Sequence, residues 1–182
     1  MRTQALKIVV TGPESSGKTE LASLLTDAFG CTLLPEYART YIERLSRPYT
    51  YSDVVHIASV QESEFRNAVE TKTGCLVLDT YLVITKVWFQ EVFGRMPDWI
   101  DRALRKSAID LFLLCYHDLE WVEDPVRENP GERRAYLFDR YRKEIEALGI
   151  PFEVIRGRGK ERFGNARKAV LAHFPQLNGT PG

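Results

Sequence analysis

Eight consecutive residues, Gly12-Pro-Glu-Ser-Ser-Gly-Lys-Thr19, fit the pattern G-x-x-x-x-G-K-[ST] at every fixed position. Glycines at these places let backbone N–H groups close around phosphate oxygens. The lysine reaches the β- and γ-phosphates, and the hydroxyl that follows it ligates Mg²⁺. The predicted cradle runs from Gly12 through Glu14, Ser15, Ser16, Gly17, Lys18 and Thr19 to position 20. Its ligands would be ATP and Mg²⁺. The flanks agree: Ile8-Val9-Val10 reads as a strand, and Leu21, Leu24, Leu25 and Ala28 recur at i, i+3, i+4, i+7 behind the loop, as on a helix face.

Other residues with chemistry follow the remaining apolar runs. Glu36 comes two residues after Thr32-Leu33-Leu34, where a carboxylate can take the proton of an acceptor hydroxyl as the phosphoryl group arrives. Its plainer reading is a solvated acid paired with Arg39. Asp79 follows Cys75-Leu-Val-Leu78, the place of an acid that holds Mg²⁺ directly or through water; it also suits a helix N-cap. Hydrolytic ATPases commonly place a water-activating glutamate next, and here Thr80 stands there. Arg127, Arg133 and Arg134 lie on and after a polar connection, placed to close over phosphates, or else to pair with Glu128 and Glu132. The turn Gly157-Arg-Gly-Lys-Glu-Arg162 serves either as a rest for adenine or as a plain strand-to-helix turn. Among Tyr37, Tyr41, Tyr81, Trp88 and Trp121, one or two rings would stack on a flat acceptor. His56, His117 and His173 show no ligand spacing.

The elements that must position these residues alternate strand with helix. Strands are expected at about Leu6–Val10, Thr32–Leu34, Cys75–Leu78, Leu111–Leu114 and Phe152–Ile155. Helices are expected at Gly17–Phe29, from Ser52-Asp53 with Val54, Ile57, Ala58, Phe65 and Ala68 on one face, and from Leu82 to near Gly94. Further helices start near Pro97, carry Phe138, Tyr141, Ile145 and Leu148 up to Gly149, and carry Phe163, Ala166, Val170 and Phe174 at the end. Gln61 shares the apolar face of the second helix. This alternation predicts a parallel sheet covered on both faces, with ligands at the carboxyl ends of its strands. The expected organisation is a single domain over 1–182, with a lid connection at about 117–134 and a loose tail at about 176–182.

The chain of 182 residues carries 25 Lys and Arg against 25 Asp and Glu, so no global field recruits nucleic acid or an anionic membrane. The N-terminus lacks the apolar core of a signal peptide, and no apolar run spans a membrane. Cys31, Cys75 and Cys115 have no C-x-x-C spacing and read as three buried thiols, which suits a reducing, cytoplasmic location.

Taken together, Gly12–Thr19, Pro35-Glu-Tyr-Ala-Arg39, Tyr49-Thr-Tyr-Ser-Asp53 with Gln61, Leu78-Asp-Thr80 and Asp124-Pro-Val-Arg127 resemble the ribosylnicotinamide kinase domain of NadR-type proteins, especially its stand-alone bacterial relatives. The resemblance runs from about Leu6 to Val170. It implies the P-loop nucleoside and nucleotide kinase fold, an α/β three-layer arrangement with strand order 2-3-1-4-5. It also implies ATP-dependent phosphorylation of the 5′-hydroxyl of nicotinamide riboside to give nicotinamide mononucleotide. Lys18 and Thr19 would serve phosphate and Mg²⁺, Glu36 and Asp79 the acceptor and metal side, and Arg127 the lid. The adenylyltransferase and DNA-binding parts of the full-length family proteins are not in the sequence. Tyr81 stands where relatives often carry a second aspartate.

Two other functions compete with a kinase for this or another nucleoside or nucleotide. One is an ATP-binding regulatory module, the other an ATPase without a small-molecule acceptor. A GTP switch would need [NT]-K-x-D after the fourth strand, and Tyr116-His-Asp-Leu-Glu-Trp121 lacks it.

Overall fold

Every residue of Leu111–Cys115 and of Cys75–Asp79 is buried, as expected of strands covered on both sides. The computed structural model describes residues 5–178. In it these two strands flank a third, and the sheet runs β2-β3-β1-β4-β5, all parallel. The strands are β1 (Leu6–Thr11), β2 (Thr32–Leu34), β3 (Cys75–Asp79), β4 (Leu111–Cys115) and β5 (Phe152–Ile155). The helices are α1 (Lys18–Phe29), α2 (Tyr37–Glu43), α3 (Tyr51–Thr71), α4 (Leu82–Trp88), α5 (Trp99–Lys106), α6 (Glu132–Leu148) and α7 (Gly159–His173).

Successive strand residues point to opposite faces, and this splits the core in two. Val9, Leu76, Leu78, Phe112 and Leu114 pack under α3, α4, α5 and α6. Ile8, Val10, Val77, Leu111 and Leu113 pack under α1 and α7 through Leu21, Leu25, Ala166 and Val170. Parallel register then fixes the rim: Val10 lies beside Asp79, and Thr11 beside Leu114. No helix among the described residues is long and apolar enough to cross a membrane.

Several sequence expectations need correction. Cys31 and Cys75 form a disulfide rather than two thiols. Thr32 pairs with Leu76 across β2 and β3, so the residues just before them are neighbours, with Cα atoms 4.7 Å apart, within disulfide range. Cys115 alone is a free, buried thiol, and the argument for a reducing compartment loses two of its three cysteines.

Residues 37–43, for which no element was expected, form α2, none of whose residues is buried. α3 begins at Tyr51 behind Thr50, whose hydroxyl and backbone N–H exchange hydrogen bonds with Asp53 in a capping box. Beyond α4 the helix widens into a π-helical turn at Phe89–Phe93, and Gly94 ends it. Gln176 and Leu177, the start of the expected loose tail, belong to a 3-10 turn, Pro175–Leu177; residues 179–182 of that tail and residues 1–4 of the N-terminus lie outside the described residues.

Candidate active site

The phosphate loop leaves β1 with no space for a side chain at its first glycine. A Cβ on Gly12 would meet the Cys115 carbonyl oxygen at 2.6 Å, and φ there is 142°. Gly17, at φ 73°, turns the chain into α1. Ser15 adopts φ 54°, an uncommon left-handed conformation for a serine. Inside the loop, the Ser16 hydroxyl and the Lys18 ammonium both donate to the Pro13 carbonyl, each at 2.7 Å.

A cavity of about 570 Å³ opens from this loop. Gly12, Glu14, Ser15, Ser16, Gly17, Lys18 and Thr19 form one wall, Glu36 and Arg39 a second, and Thr80, Thr85 and Trp88 a third. The segment 125–129, which includes Arg127, covers it. The structure thus brings the loop, Glu36 and Arg127 to one space.

Glu36 is the N-cap residue of α2, just past the end of β2. Burial pushes its carboxyl above the ordinary value; Lys18 pulls it down, Asp79 pushes it up, Arg39 lowers it and Glu14 raises it. It is not paired with Arg39 as the plainer reading had it. Arg39 instead bonds Asp124 on the covering segment and Glu43 on its own helix, the latter at 2.9 Å.

Asp79 is the last residue of β3, and the cap of α4 is Tyr81, so Asp79 does not serve as a helix cap. Burial raises its pKa against the pull of the Thr19 hydroxyl and Lys18. Its Oδ1 is buried with no hydrogen-bond partner among the described residues, an unsatisfied carboxylate oxygen of the kind an ion or a water satisfies. Thr80, at φ 64°, is buried beside it and donates its N–H to Val10 at 2.9 Å. A left-handed β-branched residue at this rim is backbone strain of the kind that gathers at functional sites.

The three arginines do different things. Arg127, half-exposed on the cavity wall, donates to the Val122 carbonyl at 2.6 Å. Arg133 pairs with Glu91 at 2.7 Å. Arg134 is 7% exposed, and its three nitrogens donate to the carbonyls of Glu14, Leu119 and Ser15 at 2.9–3.1 Å. The lid role expected of Arg134 is therefore corrected: backbone groups hold its guanidinium behind the loop.

The variable loop residues have side-chain work that the motif alone does not show. The Glu14 carboxylate accepts from the backbone N–H of Glu128 and of Asn129, at 3.1 and 2.8 Å. The Ser15 hydroxyl accepts from Val122 N–H at 3.1 Å. Together with Arg39 and Asp124, these bonds dock the covering segment on both walls.

The aromatic candidates separate as well. Tyr81 is buried in the core and donates to Glu62. Tyr41 donates to Asp53 at 2.8 Å, and Tyr37 meets His56 at 3.2 Å. Trp121 lies against Arg134, 5.8 Å from ring centroid to guanidinium. Trp88 lines the cavity, and Tyr49, which the sequence reading left out of the candidates, lines it too, edge-on to Trp88 at 4.9 Å. Gln61 is buried at the cavity floor, accepting from the Thr85 hydroxyl at 2.9 Å. The turn 157–162 sends Arg162 back onto the Ser16 carbonyl at 3.0 Å.

An AAA domain family profile matches residues 7–162. The trifunctional NAD biosynthesis/regulator protein NadR of Salmonella typhimurium is 26% identical over 137 residues, covering 71% of this chain and 33% of that protein. The chain thus spans about a third of the length of this curated relative. A NadR crystal structure in complex with NAD and AMP-PNP superposes with a TM-score of 0.76 at 20% identity, over 98% of this chain and 50% of that one. A NadR structure in complex with NR gives 0.75 at 18% identity, over 94% and 51%. The phosphate loop, the parallel order 2-3-1-4-5 and these matches converge on one conclusion: the chain belongs to the AAA domain family, and its fold is that of the P-loop kinase-like part of NadR.

Proposed function

We propose that this chain transfers the γ-phosphoryl group of ATP to the 5′-hydroxyl of a nucleoside, and that the acceptor is nicotinamide riboside, giving nicotinamide mononucleotide. The observation that carries the reading is the shared cavity, with the phosphate loop on one wall and a carboxyl of raised pKa, Glu36, on the other. A base whose pKa is moved toward neutrality is better matched to proton transfer from a hydroxyl. Similarity to NadR supports the acceptor, since a NadR structure holds NR.

In this mechanism the loop's backbone N–H groups and Lys18 hold the β- and γ-phosphates, and Glu36 aligns the hydroxyl for in-line attack and accepts its proton. Arg127, whose side chain donates to a single carbonyl among the described residues, turns toward the transferring group. The Thr19 hydroxyl and the unpartnered Oδ1 of Asp79 are oxygen donors of the kind Mg²⁺ takes. When bound, the ion would neutralise phosphate charge.

The cavity lining favours a nucleoside over a nucleotide acceptor. A phosphorylated acceptor needs a further cation, yet apart from Arg127 the lining arginines, Arg39, Arg47 and Arg133, are each committed to carboxylates. Glu128 lines the same space and accepts from the Tyr49 hydroxyl at 3.1 Å, beside Trp88. An acid beside aromatic rings suits a flat ring that carries positive charge, as the pyridinium of nicotinamide riboside does.

The test is ADP release from Mg-ATP with nicotinamide riboside beside a panel of neutral nucleosides and nucleoside monophosphates. Phosphorylation of nicotinamide riboside at the 5′ position supports the full proposal. Turnover with a neutral nucleoside alone would move the acceptor, and ADP release without any acceptor would replace the kinase with an ATPase.

A further inference from the structure

The outer face of the phosphate loop is held as firmly as its inner face is open. Three consecutive carbonyls, those of Glu14, Ser15 and Ser16, are each taken by a buried arginine from 119 to 146 residues further along the chain. Arg134 of α6 serves the first two and Arg162 of α7 the third. We propose that Arg134 and Arg162 are positioning residues that hold the loop in its phosphate-accepting shape before nucleotide arrives. They set affinity for the diphosphate and the triphosphate alike, and touch neither. The inference rests on the nucleotide-binding part of the function proposed above.

The geometry follows from the peptide group. In a planar trans peptide the C=O of one residue and the N–H of the next point in opposite directions. Fixing the carbonyls of residues 14, 15 and 16 on the outer side turns the N–H groups of Ser15, Ser16 and Gly17 to the other. There they form the concave row of donors that receives an anion. Ser15 sits at φ 54° in the middle of this row, a conformation that persists only where its surroundings hold it.

Every nitrogen of both guanidiniums donates to at least one partner. Besides its two loop carbonyls, Arg134 donates to Leu119 at 3.0 Å. Arg162 also donates to Gly157 at 2.9 Å and Tyr116 at 3.2 Å, and it pairs with Asp118. Asp118 in turn accepts from Gly157 N–H at 2.8 Å, which ties the turn after β5 into the same brace. At 7% and 4% exposure these side chains have no free arc toward the cavity. For Arg134 to reach a phosphate, three hydrogen bonds would have to break together. Arg134 forms no ion pair among the described residues, so its charge stands behind the loop, where it favours an anion on the inner side.

The experiment uses Arg134→Lys, which keeps the charge but has one nitrogen and cannot bond two loop carbonyls and Leu119 together. Arg134→Gln is the second variant, should the first fail to fold. ADP and ATP affinities are measured by calorimetry, and amide order parameters of residues 14–17 by NMR without nucleotide. The brace predicts that both dissociation constants rise by the same factor, about tenfold or more. It also predicts loop order parameters falling from about 0.85 to below about 0.6 while those of the sheet hold. A loss confined to ATP or to turnover, with ADP binding intact, would overturn the brace and return Arg134 to the lid. Unchanged loop order parameters would overturn it too. Wild-type protein that bound neither nucleotide would sink the proposed function, and the order parameters alone would then decide the brace.

Discussion

Glu36 and Asp79 stand at the carboxyl ends of the neighbouring parallel strands β2 and β3, and the Asp79 charge is among the causes that raise the Glu36 pKa. Lys18 works against both, lowering each carboxyl. Two acids facing one lysine across a phosphate site would divide the work, Glu36 taking the acceptor's proton and Asp79 offering an oxygen that would hold Mg²⁺. Glu36→Gln is therefore expected to lower kcat by about 10² to 10⁴ while ATP affinity changes little. Asp79→Asn is expected instead to raise the Mg²⁺ concentration needed for half-maximal activity. Steady-state kinetics over a Mg²⁺ titration checks both. Full activity in Glu36→Gln would end its assignment as the base.

The sign of the pH dependence follows from the same residues. A base must be unprotonated to act, so the raised Glu36 pKa places the acid limb of the rate profile above the usual carboxylate range. Arg39 lowers that pKa, and it also clasps Asp124 on the covering segment. Arg39→Met removes both effects and should move the acid limb to higher pH. Asp124→Asn breaks the same clasp but leaves the Arg39 charge in place, so its limb should not rise. Profiles of kcat/KM against pH for the two variants, which report groups of the free enzyme, separate electrostatics from docking.

The loop motif, the five strands and the positions of Glu36 and Asp79 at strand ends could be read from the sequence because each is a local signal. Val9, Leu76, Phe112 and the other strand residues lie in short apolar runs closed by glycine, proline or a polar pair. α2 escaped because none of its residues is buried, and without a buried stripe there is no period of 3.6 to find. Arg134 and Arg162 looked like lid and turn arginines, since composition does not say that a guanidinium will turn onto backbone carbonyls. Glu14 occupied a variable motif position, and its bonds to Glu128 and Asn129 join residues more than a hundred apart in the chain.

The Cys31–Cys75 disulfide was hidden for a related reason: only the pairing of β2 with β3 makes the two cysteines adjacent. It closes a sequence separation of 44 residues, for which the chain-entropy relation gives about 4 kcal/mol, and measured values of about 2–4 are typical. Cys31→Ser/Cys75→Ser is expected to lower unfolding free energy by about 2–4 kcal/mol in urea titrations. Native protein should show no readily reactive thiol, because the Cys115 thiol is buried and pushed up to about 11. Rapid labelling of all three cysteines without reductant would rule the disulfide out.

Asp53 supplies the last prediction. Its carboxylate accepts from the Arg47 guanidinium at 2.7 and 2.9 Å, from the Thr50 hydroxyl and N–H at 2.7 Å each, and from the Tyr41 hydroxyl at 2.8 Å. The Arg47 and Thr50 side-chain bonds lead in holding its pKa well below the usual carboxylate range. A group whose folded pKa is depressed contributes stability above its unfolded pKa, and loses it as pH falls toward the folded value. Wild type should therefore exceed Asp53→Asn in Tm by its widest margin at neutral pH. The gap should narrow as pH drops below about 4, where the unfolded carboxyl takes up its proton. Thermal melts from pH 7 to pH 3 give the comparison. A gap that stayed constant over that range would show that the α3 cap is held by geometry rather than by the Asp53 charge.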